Sequence, residues 1–380
     1  MAIELSNLTF TEQDDIVPAS GVEEVLINTG IANSLAGNDR LTGSGGYAEP
    51  SFFNSGTLDT AEGNDIISGS SSRFDGIVNR GMFNTGEGND IITGFGYYDA
   101  IANYGTFNTG EGDDEITGNY GRGNGIYSAN GSIFDTGDGN DRITSRAYGG
   151  INNYSNNFTT GDGNDTIESF SGGTYDGIRN NGVIDTGNGE DYISSRGALI
   201  NRGEVFLGEG NDSISVNPSS RNPAINNYNT LDTGEGNDTI TTYGIIYNEG
   251  VINTGNGDDL ISSSVIYNNG GAIITGNGND SIYTGGFESG PNSSGAWFLG
   301  EGEDYIKGFG SGDFYGGNGL DILELTPGSY TVGIWGEGGE SPIFTKGNQL
   351  MITSEFEKLK AGSTIYDFTS LTAGQIIVVA

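Results

Sequence analysis

A short string rich in glycine and aspartate recurs along this chain, and it constrains the fold more than any other feature. Full copies read TGEGNDII from Thr85, TGDGNDTI from Thr160 and TGNGNDSI from Thr275. Successive copies lie 17 to 27 residues apart, measured between their aspartates. The thirteen aspartates are Asp39, Asp65, Asp90, Asp114, Asp141, Asp165, Asp191, Asp212, Asp238, Asp259, Asp280, Asp304 and Asp321. A period of this length predicts a solenoid in which each copy marks one coil.

The residues around each copy indicate which side of the coil faces the core. Two positions after the aspartate, the residue is Ile or Leu in all thirteen copies. A second, weaker repeat of the form U-x-N-x-G-x-U, in which U is apolar, lies between the strings, as in IVNRGMF from Ile77 and IYNEGVI from Ile246. Each unit therefore combines short strands with two glycine-containing turns. Strands this short cannot bury a face alone, but they can when coils stack on one another.

The predicted fold is all-β: a right-handed parallel β-solenoid, of the β-roll or β-helix kind, with about 13 coils. Helices are not expected, because no apolar period of 3.6 residues persists. Residues 1–34 are predicted to form an N-terminal cap, residues 35–324 the solenoid, and residues 325–380 a C-terminal β cap. Caps are needed because an open coil would expose unpaired strand edges. Within the C-terminal cap, PIFTKGNQLMITS is predicted to form a hairpin with KGNQ at its tip.

The asparagine of the second repeat is predicted to have a structural role. Stacked in successive coils, such side chains can form a hydrogen-bonded amide ladder inside the solenoid, which is favoured here over metal binding. The residues expected in the ladder are Asn79, Asn103, Asn180, Asn201, Asn227, Asn248 and Asn268.

Composition narrows the possible partners. Acidic residues outnumber basic ones by 51 to 14, and the resulting formal charge of -37 repels nucleic acid and anionic lipid. Cysteine and histidine are absent, so the usual ligands of zinc, copper and iron–sulfur clusters are missing, as are the nucleophile systems that need them. The remaining metal ligands are oxygens, which suit calcium. We expect neither a membrane span nor a Sec signal, because no long apolar run and no basic, apolar leader is present.

The aspartate of the string has two interpretations. Glycines reach positive φ and leave carbonyls on one side of the turn, so that stacked turns and their carboxylates can enclose a hard cation. Thirteen turns leave twelve gaps, and one Ca²⁺ in each would change the formal charge from -37 to -13. Alternatively, glycine, asparagine and aspartate are ordinary residues of tight turns, and a solenoid needs a turn in every coil. The aspartate is kept in all thirteen copies while the residue before it varies, which favours the metal.

The string T-G-x-G-[ND]-D-x-I resembles the nonapeptide G-G-x-G-x-D-x-U-x of repeats-in-toxin (RTX) proteins, which bind calcium in a parallel β-roll. The chain is similar in particular to haemolysin-type calcium-binding proteins of cyanobacteria. Threonine usually stands here where the family pattern has its first glycine. The resemblance implies Ca²⁺ as the cofactor, with ligands at the glycines and the aspartate of each copy. The implied metal-binding positions are Gly63 and Asp65; Gly86, Gly88 and Asp90; Gly110, Gly112 and Asp114; Gly137, Gly139 and Asp141; Gly161, Gly163 and Asp165; Gly187, Gly189 and Asp191; Gly208, Gly210 and Asp212; Gly234, Gly236 and Asp238; Gly255, Gly257 and Asp259; Gly276, Gly278 and Asp280; and Gly300, Gly302 and Asp304.

The resemblance also implies a cellular location. The final stretch, EFEKLKAGSTIYDFTSLTAGQIIVVA, looks like the uncleaved C-terminal signals that type I exporters read. The expected protein is therefore a secreted or cell-surface calcium-binding module, structural and without catalysis. A glycan, a cell surface or further copies of the chain are its expected partners besides calcium and the exporter.

Two alternative functions stay open. One is an enzyme, active on polysaccharide or alkylating a small aromatic, built on a calcium-bound solenoid. Arg80, Arg179 and Arg202 lie beside the second turn and tyrosines lie on the strands, although surface solvation explains them equally well. The other is a fibre or adhesin subunit that assembles with itself.

Overall fold

The structure of the protein is a computed structural model that describes residues 2–18, 24–45, 49–171, 176–218, 223–288, 295–336 and 341–380. It divides into two compact units, residues 1–208 with 218–220, and residues 209–217 with 221–380. The regular structure of the described residues consists of β-strands and two short 3₁₀ turns, Leu5–Asn7 and Phe368–Ser370. None of it is a helix long and apolar enough to cross a membrane. Stacked parallel coils make each unit a β-solenoid, which confirms the predicted all-β class.

One coil of the first unit illustrates how the sequence repeat becomes a structural repeat. Its three strands, Ile77–Asn79, Met82–Asn84 and Ile91–Phe95, belong to three different sheets, named here sheet 1, sheet 2 and sheet 3 in chain order. The U-x-N-x-G segment forms the turn from sheet 1 to sheet 2, and the Gly-x-Gly-Asn-Asp string forms the turn from sheet 2 to sheet 3. Each strand pairs in parallel with the equivalent strand of the next coil, so that Ile77 lies opposite Ile101.

In the first unit, equivalent strands repeat from coil to coil in all three sheets. Sheet 1 contains Ala2–Glu4, Val25–Asn28, Phe52–Asn54, Ile77–Asn79, Ile101–Asn103, Ile126–Ser128, Ile151–Asn153, Asp176–Asn180 and Ala198–Asn201. Sheet 2 contains Ile31–Asn33, Thr57–Asp59, Met82–Asn84, Thr106–Asn108, Ile133–Asp135, Phe158–Thr159, Val183–Asp185 and Glu204–Phe206. Sheet 3 contains Ile16–Val17, Arg40–Ser44, Ile66–Ser70, Ile91–Phe95, Glu115–Asn119, Arg142–Ser145, Thr166–Ser169 and Tyr192–Ser195.

The second unit has the same three sheets and ends in antiparallel strands. Its sheet 1 contains Pro223–Asn227, Ile245–Asn248, Val265–Asn268 and Phe287–Glu288. Its sheet 2 contains the parallel strands Thr230–Asp232, Val251–Asn253, Ala272–Ile274, Ala296–Gly302, Gly312–Gly319 and Gln349–Ser354, followed by the antiparallel strands Ser341–Lys346, Gly328–Trp335 and Ile376–Val379. Its sheet 3 contains Ser213–Val216, Thr239–Thr241, Leu260–Ser263, Ser281–Thr284, Tyr305–Lys307, Ile322–Leu325, Lys358–Ala361 and the antiparallel Thr364–Asp367.

The predicted hairpin of the C-terminal region is present. Ser341–Lys346 pairs antiparallel with Gln349–Ser354, and Lys346 lies opposite Gln349 at the tip. The second of these strands also pairs in parallel with Gly312–Gly319, so the hairpin covers the last coil of sheet 2.

The core of each unit is made of side chains repeated in register. The Ile or Leu two positions after each repeat aspartate is at most 1% exposed in all thirteen copies. In sheet 2 of the first unit, Phe83, Phe107, Phe134 and Phe158 are fully buried, and their rings stack almost parallel with centroids 4.6–4.9 Å apart. Parallel in-register strands bring identical side chains to this spacing, which explains why the same residue type recurs.

The predicted asparagine ladder is also confirmed. All seven expected asparagines are fully buried. The amide nitrogen of Asn79 donates to the side-chain oxygen of Asn103 at 2.9 Å and to the backbone oxygen of Thr106 at 2.7 Å. The ladder is interrupted where Ser128 replaces asparagine. Each amide thus donates hydrogen bonds to polar groups of a turn that is closed to water. These hydrogen bonds fix the register between neighbouring coils.

We expect Phe107→Ala to lower the free energy of unfolding by about 3–5 kcal/mol, because the change opens a cavity within the stacked rings. Chemical denaturation followed by circular dichroism measures the effect. The control is Phe95→Ala, the same change at a side chain that is 42% exposed. Equal effects of the two variants would contradict the central role of the phenylalanine stack.

Candidate metal-binding turns

The backbone of the Gly-x-Gly-Asn-Asp turn is shaped by the close approach of successive coils. Gly110 and Gly112 have φ of 97° and 138°, a region that favours glycine. A Cβ added to Gly110 would lie 1.8 Å from the carbonyl oxygen of Gly86, and one added to Gly112 would lie 2.1 Å from that of Gly88. The glycines are therefore required twice, by conformation and by the space between coils.

The thirteen repeat aspartates are buried and joined by hydrogen bonds from coil to coil. Each is at most 2% exposed. The backbone N–H of Asp90 donates to Oδ1 of Asp114, one coil further on, at 2.7 Å. The same contact, at 2.7–2.8 Å, links every consecutive pair from Asp39 to Asp191 in the first unit. In the second unit it links every pair from Asp212 to Asp321 at 2.8–2.9 Å.

The second carboxylate oxygen is the unusual feature of this row. It is buried and accepts no hydrogen bond from the described protein in eleven of the aspartates. These are Asp39, Asp65, Asp90, Asp114, Asp141 and Asp165 in the first unit, and Asp238, Asp259, Asp280, Asp304 and Asp321 in the second. Buried carboxylate oxygens without a partner are costly, so each favours a proton, a cation or another hydrogen-bond donor at this point.

The same burial changes the proton affinity of these groups. Removal from water is the largest influence, and it raises their pKa above the ordinary value of 3.8. The charges of neighbouring carboxylates add to this effect for several of them. The pKa rises to about 8 for Asp141; to about 7 for Asp65, Asp90, Asp165, Asp259, Asp280 and Asp321; and to about 6 for Asp114, Asp191, Asp238 and Asp304.

A buried threonine belongs to the turn, although the sequence analysis treated it only as a departure from the RTX pattern. The hydroxyl of Thr85 lies beside the carboxylate of Asp90, whose pKa it lowers without cancelling the effect of burial. It donates its own hydrogen to the carbonyl of Thr109 in the next coil at 3.0 Å. The sequence does contain a signal for this threonine, because threonine stands five residues before the aspartate in most copies.

The residue just before each aspartate forms a second row, which runs in the opposite direction. The backbone N–H of Asn89 donates to Oδ1 of Asn64 in the preceding coil at 2.7 Å, and that of Asp113 donates to Oδ1 of Asn89 at 2.9 Å. These side chains are exposed. Asparagine and aspartate both carry Oδ1, which explains why either can stand at this position in ten of the thirteen copies; the other three have Glu190, Glu303 and Leu320.

The ends of the aspartate row are closed by residues outside the repeat. The N–H of Asp15 donates to Oδ1 of Asp39 at 2.8 Å, and the N–H of Asp321 donates to Oε2 of Glu357 at 2.8 Å. Sequence reasoning missed both, because neither Asp15 nor Glu357 lies in a copy of the string.

The structure therefore brings the predicted aspartates together in each unit and places the predicted glycines beside them. The carbonyl oxygens of second glycines such as Gly88, Gly112 and Gly139 accept no hydrogen bond from described residues. In the described part of the chain, no three carboxylates gather closely enough to hold a metal by themselves. A cation held here would need hydroxyl or carbonyl oxygens besides the aspartates, and the turn supplies both. This donor set is all oxygen and fits the preference of calcium.

Comparison of the chain with protein-family models, with curated proteins and with solved structures finds no match.

We expect the metal-free protein to be more stable at about pH 5 than at about pH 8. The folded state retains protons on carboxyls such as Asp141 that the unfolded chain releases above about pH 4, so the free energy of unfolding falls as pH rises from about 4 to 8. The stabilisation is complete below the unfolded pKa and is lost as pH passes the folded pKa. Thermal unfolding in the presence of a chelator measures this trend.

Asp141→Asn should reduce this pH dependence, because it removes a titrating group and keeps Oδ1 as an acceptor. Asp113→Asn is the matched control. Asp113 is exposed, and the N–H of Asn140 lowers its pKa, so it titrates below the pH range of the experiment. An unfolding midpoint that stays constant or increases from pH 5 to pH 8 would show that the aspartates are not protonated in the folded state.

Proposed function

We propose that this chain is a calcium-binding structural β-solenoid of the RTX kind, secreted and without catalysis. The observation that carries the proposal is the row of buried Oδ2 atoms without protein partners, repeated along the turns of each unit. A row of ionised carboxylates in successive coils is stable only if positive charge lies near it. A divalent cation supplies that charge and also fills the empty coordination of the oxygens.

The residues that would hold the ion are named by their position in the turn. Oδ2 of Asp90 and Oδ2 of Asp114 belong to adjacent coils, and the hydroxyl of Thr85 lies beside the first of them. The carbonyl of Gly88 is a further oxygen, to which none of the residues that the structure describes donates a hydrogen bond. When bound, calcium would supply positive charge and accept six to eight oxygen ligands with flexible geometry, whereas magnesium demands a stricter octahedron.

Protons and calcium compete for the same oxygens, and pH decides between them. At pH values near or below the raised pKa of the aspartates, a proton satisfies Oδ2. At higher pH the carboxylates are ionised and a cation becomes the favourable partner. Calcium at the millimolar level typical of extracellular modules is sufficient for such sites. The chain would therefore complete its folding outside the cell, where calcium reaches this level.

The same proposal includes export of the chain and its contacts outside the cell. The resemblance of the C-terminal stretch to type I secretion signals supports export, with an extracellular or cell-surface location. A glycan, the cell surface or other copies of the chain are the proposed contacts there.

Calcium should raise the unfolding temperature strongly at about pH 8 and weakly at about pH 5, because protons occupy the carboxylates at the lower pH. Equilibrium dialysis at the higher pH should find several calcium ions per chain. Asp141→Asn should remove one or two of them, since this carboxylate borders two gaps between coils. Thermal unfolding and dialysis with calcium, magnesium or chelator measure these effects.

Asp138→Asn is the control for this experiment. It makes the same change of charge in the same turn, at an exposed side chain that accepts a hydrogen bond from the N–H of Asp162 through Oδ1. It should leave the number of bound calcium ions unchanged. Absence of calcium binding at millimolar concentration, or equal losses in the two variants, would refute the proposal.

A further inference from the structure

Sheet 1 of the first unit, together with the turns that follow its strands, carries a line of aromatic and guanidinium groups on its outside. Phe53, Arg80, Tyr104, Tyr127 and Tyr154 come from five successive coils, one from each, and are named here the tyrosine row. The guanidinium of Arg80 lies 5.9 Å from the ring centre of Phe53 and 5.4 Å from that of Tyr104. The rings of Tyr104 and Tyr127 are 5.6 Å apart, and those of Tyr127 and Tyr154 are 5.9 Å apart.

The row is accessible to a large ligand. Tyr104 is 45% exposed and Tyr154 is 37% exposed, while Phe53 and Tyr127 are half-buried. The row lies along sheet 1 and the turns from sheet 1 to sheet 2, whereas the aspartate turns join sheet 2 to sheet 3. It therefore takes no part in the calcium site proposed above.

Asp75 and Asp99 stand two residues before the sheet 1 strands of the coils that carry Arg80 and Tyr104. The N–H of Asp99 donates to Oδ1 of Asp75 at 2.8 Å, and Asn124 donates to Oδ1 of Asp99 through its backbone and side-chain nitrogens at 2.8 and 2.9 Å. Within the described protein, the carboxylates of Asp75 and Asp99 thus accept hydrogen bonds only through Oδ1. Burial raises the pKa of Tyr104, and the charges of Asp99 and Asp75 add to this effect.

We propose that the tyrosine row binds an extended, uncharged polysaccharide that runs along the coil axis. The C–H faces of sugar rings can lie against these tyrosine rings, whose centres are 5.6–5.9 Å apart and whose planes are tilted by 51–53° to one another, and sugar hydroxyls can donate to the unused oxygens of Asp75 and Asp99. An anionic polysaccharide is disfavoured, because the chain carries a formal charge of -37. The inference gives the glycan partner a site and does not depend on calcium uptake by the turns.

Native gel electrophoresis through gels that contain polysaccharide tests this site. The probes are hydroxyethyl cellulose and dextran, which are uncharged, and alginate, which is anionic. We expect at least one uncharged polymer to retard the full chain, and alginate to leave it unretarded. Tyr104→Ala with Tyr127→Ala should weaken the retardation by about tenfold for each ring, whereas Tyr104→Phe should keep most of it.

Tyr192→Ala is the control, because Tyr192 is 36% exposed but lies on sheet 3. Tyr192→Ala should be retarded like the unchanged chain. The unfolding temperature of each variant is measured to show that the variant is folded. The gels are run with about 1 mM calcium and, separately, with chelator. If the turns do not bind calcium, the polysaccharide should still retard the chain equally under the two conditions. The glycan site and the calcium sites can therefore be tested separately. Failure of both uncharged polymers to retard the chain, retardation by alginate alone, or equal retardation of the double variant would overturn the inference.

Discussion

The in-register stacking of equivalent residues is the constraint on which the rest of this structure depends. Parallel strands place each residue directly beside its counterpart in the next coil, at a separation of about 4.8 Å. Where the same residue type recurs in successive coils, its side chain must therefore tolerate contact with another of its own kind. Phenylalanine does so by stacking its rings, and asparagine does so by donating one amide to the next. Glycine is required where two turn backbones almost touch.

Aspartate is the one residue for which this constraint is unfavourable, because identical buried charges repel. Its retention in every copy can be explained by turn formation and metal binding together, the two roles that the sequence suggested. Oδ1 satisfies the backbone N–H of the neighbouring coil, as an ordinary turn residue would. Oδ2 is then left buried without a donor, and that oxygen is available to a cation. Turn formation and metal binding can thus use different oxygens of the same carboxylate.

Much of the fold could be predicted from the sequence, because stacking repeats the same requirement in every coil. Regular spacing correctly predicted the buried Ile or Leu two positions after each aspartate, and it also predicted the asparagine ladder. The threonine beside the aspartate was undervalued, since its hydroxyl contacts the next coil and the spacing alone does not show this contact. Glu357 could not be found at all, because it closes the row from a segment without repeats. The depth at which the carboxylates are buried also depends on three-dimensional packing rather than on sequence spacing.

A solenoid repeats a functional group along a line, and this determines the kind of ligand that suits it. One carboxylate per coil offers equivalent positions in successive gaps, which suits a row of separate ions. One aromatic or guanidinium group per coil, along sheet 1 and the turns that follow it, offers a line of contacts, which suits a polymer with a repeating unit of similar length. The two lines belong to different parts of the coil, so that substitutions in one leave the stacking of the other intact. The fold can therefore combine an interior row that determines its stability with an exterior row that is free to recognise a partner.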